Sequence, residues 1–202
     1  MKKEQDFIRE YFAASISAKL TAMEQLGPAL EEAGKLIAAS IAKGGKWMIF
    51  GNGGSAADAQ HLAAELVGRL YKLERRGLPA LALTTDSSAL TCVGNDYGYE
   101  EIFARQVEAL GRKGDVVLGI STSGNSPNVL KGLAMAKKLG CHTIGFSGGK
   151  GGKLLKAAKL CLNVPVAQTY TVQETHITMG HILCFLVERD LLRRGFIRKR
   201  RA

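Results

Sequence analysis

The sequence predicts a single α/β domain over residues 1–202, a doubly wound parallel five-stranded sheet with helices on both faces. Short apolar runs alternate with stretches of helical periodicity, which is typical of buried parallel strands joined by helices. Glycine-rich or hydroxyl-rich turns follow several of the runs, and no linker, repeat or low-complexity segment divides the chain. We expect N-terminal helices over 1–44, the core and a final helix over 45–193, and a basic tail over 194–202.

The N-terminal region is predicted to form two helices. Apolar residues recur every three or four positions, first at Phe7, Tyr11, Phe12, Ile16, Leu20 and Met23, then at Leu30, Ala33, Leu36, Ile37 and Ile41. Pro28 is expected to begin the second helix, because a fixed φ and a missing N–H suit the first helical position.

The core is predicted to contain five strands separated by helices. The strands are Trp47–Phe50, Ala80–Thr84, Val116–Ile120, Thr143–Phe146 and Leu160–Val164, with helices near 55–70, 99–110, 127–139 and 151–157 and a final helix from about 172 to 193. Ligands of such sheets bind outside the carboxyl ends of the strands. We therefore expect the functional site in the turns that follow the first four strands.

The net charge of +10 is concentrated at the C-terminus, where six positive residues occur without a negative one: Arg193, Arg194, Arg198, Lys199, Arg200 and Arg201. A solvated end is the simplest explanation, and no nucleic-acid partner is expected, because a binding face would combine basic residues with aromatic side chains or a recognition helix. No apolar run approaches the roughly 20 residues that span a bilayer, and "MKKEQDFIREYF" does not resemble a signal peptide. We therefore expect no membrane association and a cytoplasmic location.

The turn after the first strand, "GNGGSAAD" at residues 51–58, is predicted to approach a ligand closely. Its glycines allow positive φ, and Ser55 can cap the following helix. The turn also matches part of the dinucleotide fingerprint, which requires an acidic residue at the end of the next strand. Glu74 has the spacing but not the location, and Asp86 the location but not the spacing, so no nicotinamide cofactor is expected.

The turn after the third strand, "STSGNSPNV", is predicted to bind a phosphate. Four hydroxyl residues occur within six positions, namely Ser121, Thr122, Ser123 and Ser126. Ser126 suits an N-cap and Pro127 the first helical position, so free amides and the helix dipole would favour an anion beside the hydroxyls. An ordinary capped helix is the alternative. A further glycine-rich turn, Ser147–Lys153, is expected to be structural.

His61 and Glu65 lie four residues apart and therefore share one face of the helix that begins at the first glycine turn. Histidine and carboxylate suit zinc or a similar divalent ion, and a carboxylate in a cleft can act as a general base. A surface pair on an amphipathic helix is the alternative. On the final helix, Gln173 and His181 are separated by about 80° around the axis and about 12 Å along it.

Four segments together resemble the sugar isomerase (SIS) domain and, within it, the bacterial phosphoheptose isomerases: "GNGGSAADAQHLAAEL", "GNDYGYE", "GISTSGNSPNV" and "VQETHITMGH". The resemblance covers nearly the whole chain, and the segments occur in the family's order. It implies the SIS fold, assembly into a homotetramer, and isomerisation of sedoheptulose 7-phosphate to D-glycero-D-manno-heptose 7-phosphate, a precursor of lipopolysaccharide or surface polysaccharide.

The resemblance also implies the roles of individual residues. Glu65 and His181 would be the acid/base pair, and the zinc ligands would be His61, Glu65, Gln173 and His181. Substrate contacts would come from Glu65 and Gln173 and from Asn52, Gly53, Gly54, Ser55, Asn95, Asp96, Ser121, Thr122, Ser123 and Ser126. The separation of Gln173 from His181 is difficult for one ion, so either Gln173 precedes the helix or, as we favour, another subunit completes the site.

Two alternative functions stay open at this point. Some SIS proteins are not enzymes but assembly partners, including one that binds the bacterial replication initiator; these lack a glutamate and a histidine at the positions of Glu65 and His181. The other alternative is an isomerase of a different phosphosugar, such as a pentose phosphate, because pocket shape sets the length of sugar that fits.

Overall fold

The computed structural model describes residues 3–70 and 74–198. At its centre lies a five-stranded parallel sheet, with strands β1 Trp47–Gly51, β2 Ala80–Ala82, β3 Val116–Ile120, β4 His142–Gly148 and β5 Leu160–Val164 in the order β2-β1-β3-β4-β5. Trp47 of β1 pairs with Ala80 on one side and Val116 on the other. All five predicted strands are confirmed, although β2 ends at Ala82 rather than at Thr84.

Helices cover both faces of the sheet. They are α1 Glu4–Ala42, α2 Gly54–Val67, α3 Ser87–Asp96, α4 Ile102–Leu110, α5 Pro127–Lys138, α6 Leu154–Ala157 and α7 Thr169–Arg193, with a 3₁₀ turn at Tyr99–Glu101. Alternate residues of β1 face opposite sides, as the pleat requires. Trp47 and Ile49 pack in the core beneath α1, α2 and α7, whereas Met48 and Phe50 pack in the core beneath α3 to α6. The doubly wound α/β architecture is therefore confirmed.

The N-terminal region is one helix, not the two predicted: α1 continues through Pro28. An internal proline removes a hydrogen bond and costs about 3 kcal/mol. Packing along α7 offsets this cost. At Gly34 the two helices approach so closely that a Cβ would lie 2.7 Å from Leu186 Cβ, and Ala33 and Ile37 are fully buried beside it.

Helix α3 was not predicted from the sequence. None of its residues is buried, and Leu90 and Val93 pack partly against the core. It begins after Asp86, whose carboxylate accepts a hydrogen bond from the Ala89 N–H at 2.9 Å. This N-cap is the local signal that could have indicated the helix.

The packed part of the chain extends further towards the C-terminus than predicted. Helix α7 ends at Arg193, but Ile197 is only 3% exposed, and the Arg76 guanidinium lies 4.2 Å from the ring centroid of Phe196. The expectation of a solvated tail from 194 is therefore wrong for Phe196 and Ile197, whose apolar side chains pack against the core, whereas Arg194, Gly195 and Arg198 are exposed as expected. The rest of the predicted tail, Lys199–Ala202, lies outside the described residues. Among the described residues, no helix has the length and apolar character to span a membrane.

Candidate active site

Three predicted site residues converge where α2 and α7 pack side by side. The His61 and His181 Nε2 atoms lie 2.8 Å apart, and His61 Nε2 lies 3.5 Å from Glu65 Oε1. One potential ligand atom from each residue lies within 4.8 Å of the other two. His61 is exposed, whereas Glu65 and His181 are partly buried. Two imidazole nitrogens and one carboxylate so close together form a donor set that fits zinc or a similar divalent ion.

A glycine sets the spacing between these two helices. A Cβ on Gly180 would lie 2.5 Å from Leu62 Cδ2, so any larger residue here would displace the Leu62 side chain from the contact between α7 and α2. His181 follows Gly180 directly, and His61 directly precedes Leu62. The tight helix contact therefore brings the two histidines together within a single chain.

Gln173 lies inside α7, so the less favoured alternative, that it precedes the helix, is wrong. It packs against the first residue of α2, where a Cβ on Gly54 would overlap its amide group. Eight residues separate it from His181, which is a rise of about 12 Å. Its participation in one metal centre with the three converging residues, and the contribution of a second subunit, both stay predictions.

Asp58 belongs to this site but was not predicted from the sequence. It lies one helical turn before His61 and is only 8% exposed. Burial raises the pKa of Asp58 to about 6, although a hydrogen bond from Gln173 and the nearby His61 both favour the charged form. The carboxylate thus links the start of α7 to α2 beside the proposed metal ligands. Its burial follows from tertiary packing, which the spacing of residues in α2 does not reveal.

The predicted phosphate turn brings its hydroxyls together. Ser121 Oγ lies 2.9 Å from Ser126 Oγ and 3.4 Å from Ser123 Oγ, and Thr122 belongs to the same turn. Ser126 and Pro127 occupy the N-cap and first position of α5, as predicted. The Ser126 hydroxyl makes no cap hydrogen bond and contacts Ser121 instead. The hydroxyl cluster lies at the N-terminus of α5, where the helix dipole favours an anion.

The glycine-rich turn Ser147–Lys153 supports the phosphate turn. The Leu154 N–H donates to the Gly124 carbonyl at 2.9 Å, and the Lys153 N–H donates to Asn125 Oδ1 at 3.1 Å. At Gly124, φ is +66° and a Cβ would overlap the Gly151 carbonyl. The structural role expected for this turn is therefore confirmed.

The glycine turn after β1 joins the phosphate turn through a pair of amides. Asn52 Nδ2 donates to Asn128 Oδ1 at 2.9 Å, and Asn128 Nδ2 donates back to Asn52 Oδ1 at 2.8 Å. The Tyr99 hydroxyl also donates to Asn52 Oδ1, at 3.3 Å. Asn128, which was not predicted, is 2% exposed and holds Asn52 at the mouth of a cleft of about 430 Å³. The cleft lies between the ends of β1 and β3, where the winding of the sheet reverses and ligands of such folds bind.

The remaining predicted residues belong to the glycine turn after β1 and to the end of α3. Gly53 has φ +54° and is the N-cap of α2, so Ser55 is the second residue of that helix and not its cap, contrary to expectation. Ser55 is buried behind the turn. Asn95 and Asp96 lie at the exposed end of α3, where Asn95 Nδ2 donates to Asp96 Oδ1 at 2.8 Å. Their contact with a substrate stays a prediction.

The fold and this site define the chain as a member of the SIS domain family, whose pattern matches residues 10–148. Within that family it belongs with the phosphoheptose isomerases. The phosphoheptose isomerase of Aquifex aeolicus is 52% identical over 188 residues, which cover 93% of this chain and 98% of that protein. That of Geobacter sulfurreducens is 57% identical over 184 residues, covering 87% and 97%. The solved structure of a Neisseria gonorrhoeae phosphoheptose isomerase superposes with a TM-score of 0.87 at 44% identity, covering 93% of this chain and 100% of that one.

Proposed function

We propose that the chain is an aldose–ketose isomerase that converts sedoheptulose 7-phosphate to D-glycero-D-manno-heptose 7-phosphate for the synthesis of lipopolysaccharide or surface polysaccharide. The observation that carries the proposal is that His61 and Glu65, on the helix that begins at the glycine turn, meet His181 of α7. Relatives more than half identical over most of the chain are named phosphoheptose isomerases, which supports the choice of sugar. An assembly partner without catalysis is not favoured, because it would not need this constellation.

The chemistry moves a carbonyl between C2 and C1 of the sugar through an enediol. The Glu65 carboxylate would take the proton from C1 of the ketose and return it to C2. Meanwhile a proton is added to the oxygen on C2 and one is lost from the oxygen on C1. His181 would exchange these oxygen protons, because an imidazole both donates and accepts protons near neutral pH.

The proposal includes zinc or a similar divalent ion. His61, Glu65 and His181 would hold it. The family resemblance implies Gln173 as the fourth ligand, which another subunit would supply, because Gln173 of the same chain lies about 12 Å along α7 from His181. When bound, the ion would polarise the substrate carbonyl and stabilise negative charge on its oxygen. Glu65 has two carboxylate oxygens, so binding the ion with one leaves the other for proton transfer.

The hydroxyl-rich turn would hold the phosphate at the far end of the substrate. Its hydroxyls and the N-terminus of α5 lie at the end of β3, whereas Glu65 lies on α2 after β1. This contact contributes orientation rather than chemistry, because it fixes the reacting carbons relative to Glu65. Asn52 would link the two ends of the site through its amide pair with Asn128.

The proposal is tested by assaying isomerisation of sedoheptulose, fructose and ribulose phosphates, with bound metal measured on the same sample. The expected result is a clear preference for sedoheptulose 7-phosphate and about one divalent ion per site. Preference for a shorter sugar would reassign the substrate. Absence of turnover with all three, by a folded and metal-loaded sample, would instead favour a non-catalytic assembly partner.

We also propose a cytoplasmic homotetramer. The apolar face of α1 continues onto α7, and several large side chains there are exposed, among them Phe7, Phe12, Ile16, Leu20, Met23 and Phe185. An apolar surface of this kind is typical of a subunit interface. Light scattering at micromolar concentration should give a mass four times that of the chain, and a stable monomer would contradict the assembly.

A further inference from the structure

A buried ion pair lies behind the site, on the side away from solvent. The Arg75 side chain is fully buried, and its Nε and Nη2 atoms both lie 2.6 Å from Glu188 Oε1. Glu188 belongs to α7 and is itself only 4% exposed. Arg75 comes from the segment between α2 and β2, so this bridge joins three parts of the chain.

The same guanidinium binds the carboxyl end of α2. Arg75 Nη2 donates to the Glu65 carbonyl at 3.0 Å, and Nη1 donates to the Leu66 and Gly68 carbonyls at 2.8 and 2.9 Å. Carbonyls in the last turn of a helix lack partners within the helix, and a cation there also interacts favourably with the helix dipole. With Glu188 as acceptor as well, all five guanidinium N–H groups have partners.

The bridge connects the two helices that carry the site residues, α2 with His61 and Glu65 and α7 with His181. One end binds the backbone carbonyl of Glu65, the residue proposed to transfer the carbon-bound proton. The other end binds Glu188, which follows His181 by seven residues, almost two full helical turns, and so lies on the same side of α7. The length of the Arg75 side chain therefore helps to set the distance from Glu65 and His61 to His181.

We propose that Arg75 is a positioning residue for the isomerisation, which holds α2 and α7 in the register at which His61, Glu65 and His181 converge. The inference rests on the proposed function of these three residues. If Arg75 contributed to stability alone, a folded variant without the ion pair would keep the wild-type site geometry. Replacement of both charges of a buried ion pair by apolar groups is often neutral or stabilising, whereas removal of one leaves an unpaired buried charge.

The test is the double variant Arg75→Met/Glu188→Met, which removes both charges at similar volume, together with Arg75→Lys, which keeps a cation opposite Glu188 but lacks the planar fork. The matched control is Arg194→Met/Asp190→Asn, which removes an exposed ion pair from the end of the same helix. Folding of each variant is checked by thermal unfolding. If the double variant does not fold, the result for Arg75→Lys tests the proposal.

Three measurements are made on each folded protein. In the metal-free protein, the imidazole NMR signals of His61 and His181 should shift, while those of His142 and His176, the other two histidines, should not. Zinc affinity, measured by competition with a chelator, should fall about 10- to 100-fold, the usual effect of removing support behind metal ligands. In the active enzyme, kcat should fall about 10- to 100-fold with little change in KM.

Wild-type imidazole signals and zinc affinity in a folded variant would overturn the positioning role. If the wild-type protein isomerises no sugar phosphate, the proposed function fails. The imidazole signals still decide whether Arg75 sets the geometry of the histidines, so the two failures are distinguishable.

Discussion

The imidazoles of His61 and His181 meet edge to face, with their Nε2 atoms 2.8 Å apart, although 120 residues separate them in the sequence. At most one proton can lie between two nitrogens in this position. The pair is therefore preorganised either to share a proton or to bind a cation, and Glu65 Oε1, 3.5 Å from His61, favours the cation by its negative charge. A surface pair formed by His61 and Glu65 alone, the alternative left open by their spacing, does not explain why His181 joins them.

Replacing Glu65 by glutamine tests the base directly. The amide keeps the shape but accepts no proton, so turnover should fall about 10²- to 10⁴-fold. Exchange of substrate hydrogen with deuterated water should be lost as well, while binding of the sugar phosphate persists, because the phosphate turn is unchanged. Glu108→Gln, on the exposed face of α4, is the control and should behave as wild type. Near-normal exchange in Glu65→Gln would show that another group moves the carbon-bound proton.

Replacing His61 by alanine tests the metal centre. The variant keeps Glu65 but loses one imidazole ligand, so we expect metal content and activity to fall together, and added zinc should partly restore both. His142→Ala is a suitable control, because His142 lies at the start of β4 and does not belong to the cluster that α2 and α7 form. Loss of activity at full metal occupancy would mean that His61 acts on the substrate and not through the ion.

Removing a hydroxyl from the phosphate turn should weaken substrate affinity. Ser123→Ala or Ser126→Ala deletes one hydrogen bond to a charged group, worth about 1.5–3 kcal/mol, so affinity should fall roughly 10- to 150-fold. Stability should change little at Ser126, because its hydroxyl contacts Ser121 and does not cap α5. Thr21→Ala removes an exposed hydroxyl on α1 and is the control. Unchanged affinity in both serine variants would place the phosphate elsewhere.

Acid should destabilise the protein through His176. Its Nε2 donates to the Ser147 carbonyl at 2.9 Å, and burial lowers the pKa of His176 to about 4 despite this hydrogen bond. The folded protein thus binds a proton less readily than the unfolded chain. The contribution of neutral His176 to the free energy of unfolding is fully present above the unfolded pKa of about 6.5, and it is lost as the pH falls towards 4.

The expected loss between pH 7 and pH 5 is about 2 kcal/mol, measured by urea unfolding. Asp58 acts in the opposite direction, because its raised pKa makes the folded state the better proton acceptor below about pH 6. The informative quantity is therefore the difference between wild type and His176→Gln. The difference between their free energies of unfolding should be smaller at pH 5 than at pH 7. A difference independent of pH would contradict the lowered pKa of His176.

Local patterns in the sequence account for the framework and for most of the site. The apolar runs predict every strand. The signal is clearest for β1 and β3, because these strands are buried on both faces. The turns at the ends of these strands likewise predict Asn52 and the serine cluster. Spacing within one helix pairs His61 with Glu65, but it cannot show that His181 approaches them.

The missed residues share a physical cause. Asp58, Arg75 and Asn128 are polar and buried, and a polar residue in a sequence gives no sign of burial until its partner is known. Their partners lie on other elements of the fold. Pro28 is the converse case, in which a strong local signal for a helix boundary is overridden by packing between α1 and α7.

The unbroken helix α1 has a geometric consequence. Its 39 residues extend for about 58 Å, whereas a compact domain of this size is only about 43 Å across. The turns of α1 that precede the contact of Tyr11 with α7 therefore reach past the body of the domain, and Phe7 there is 62% exposed. A projecting arm with such side chains gains stability chiefly by contact with another molecule. The arm should therefore become more ordered, and the melting temperature of the protein should increase, as protein concentration is raised.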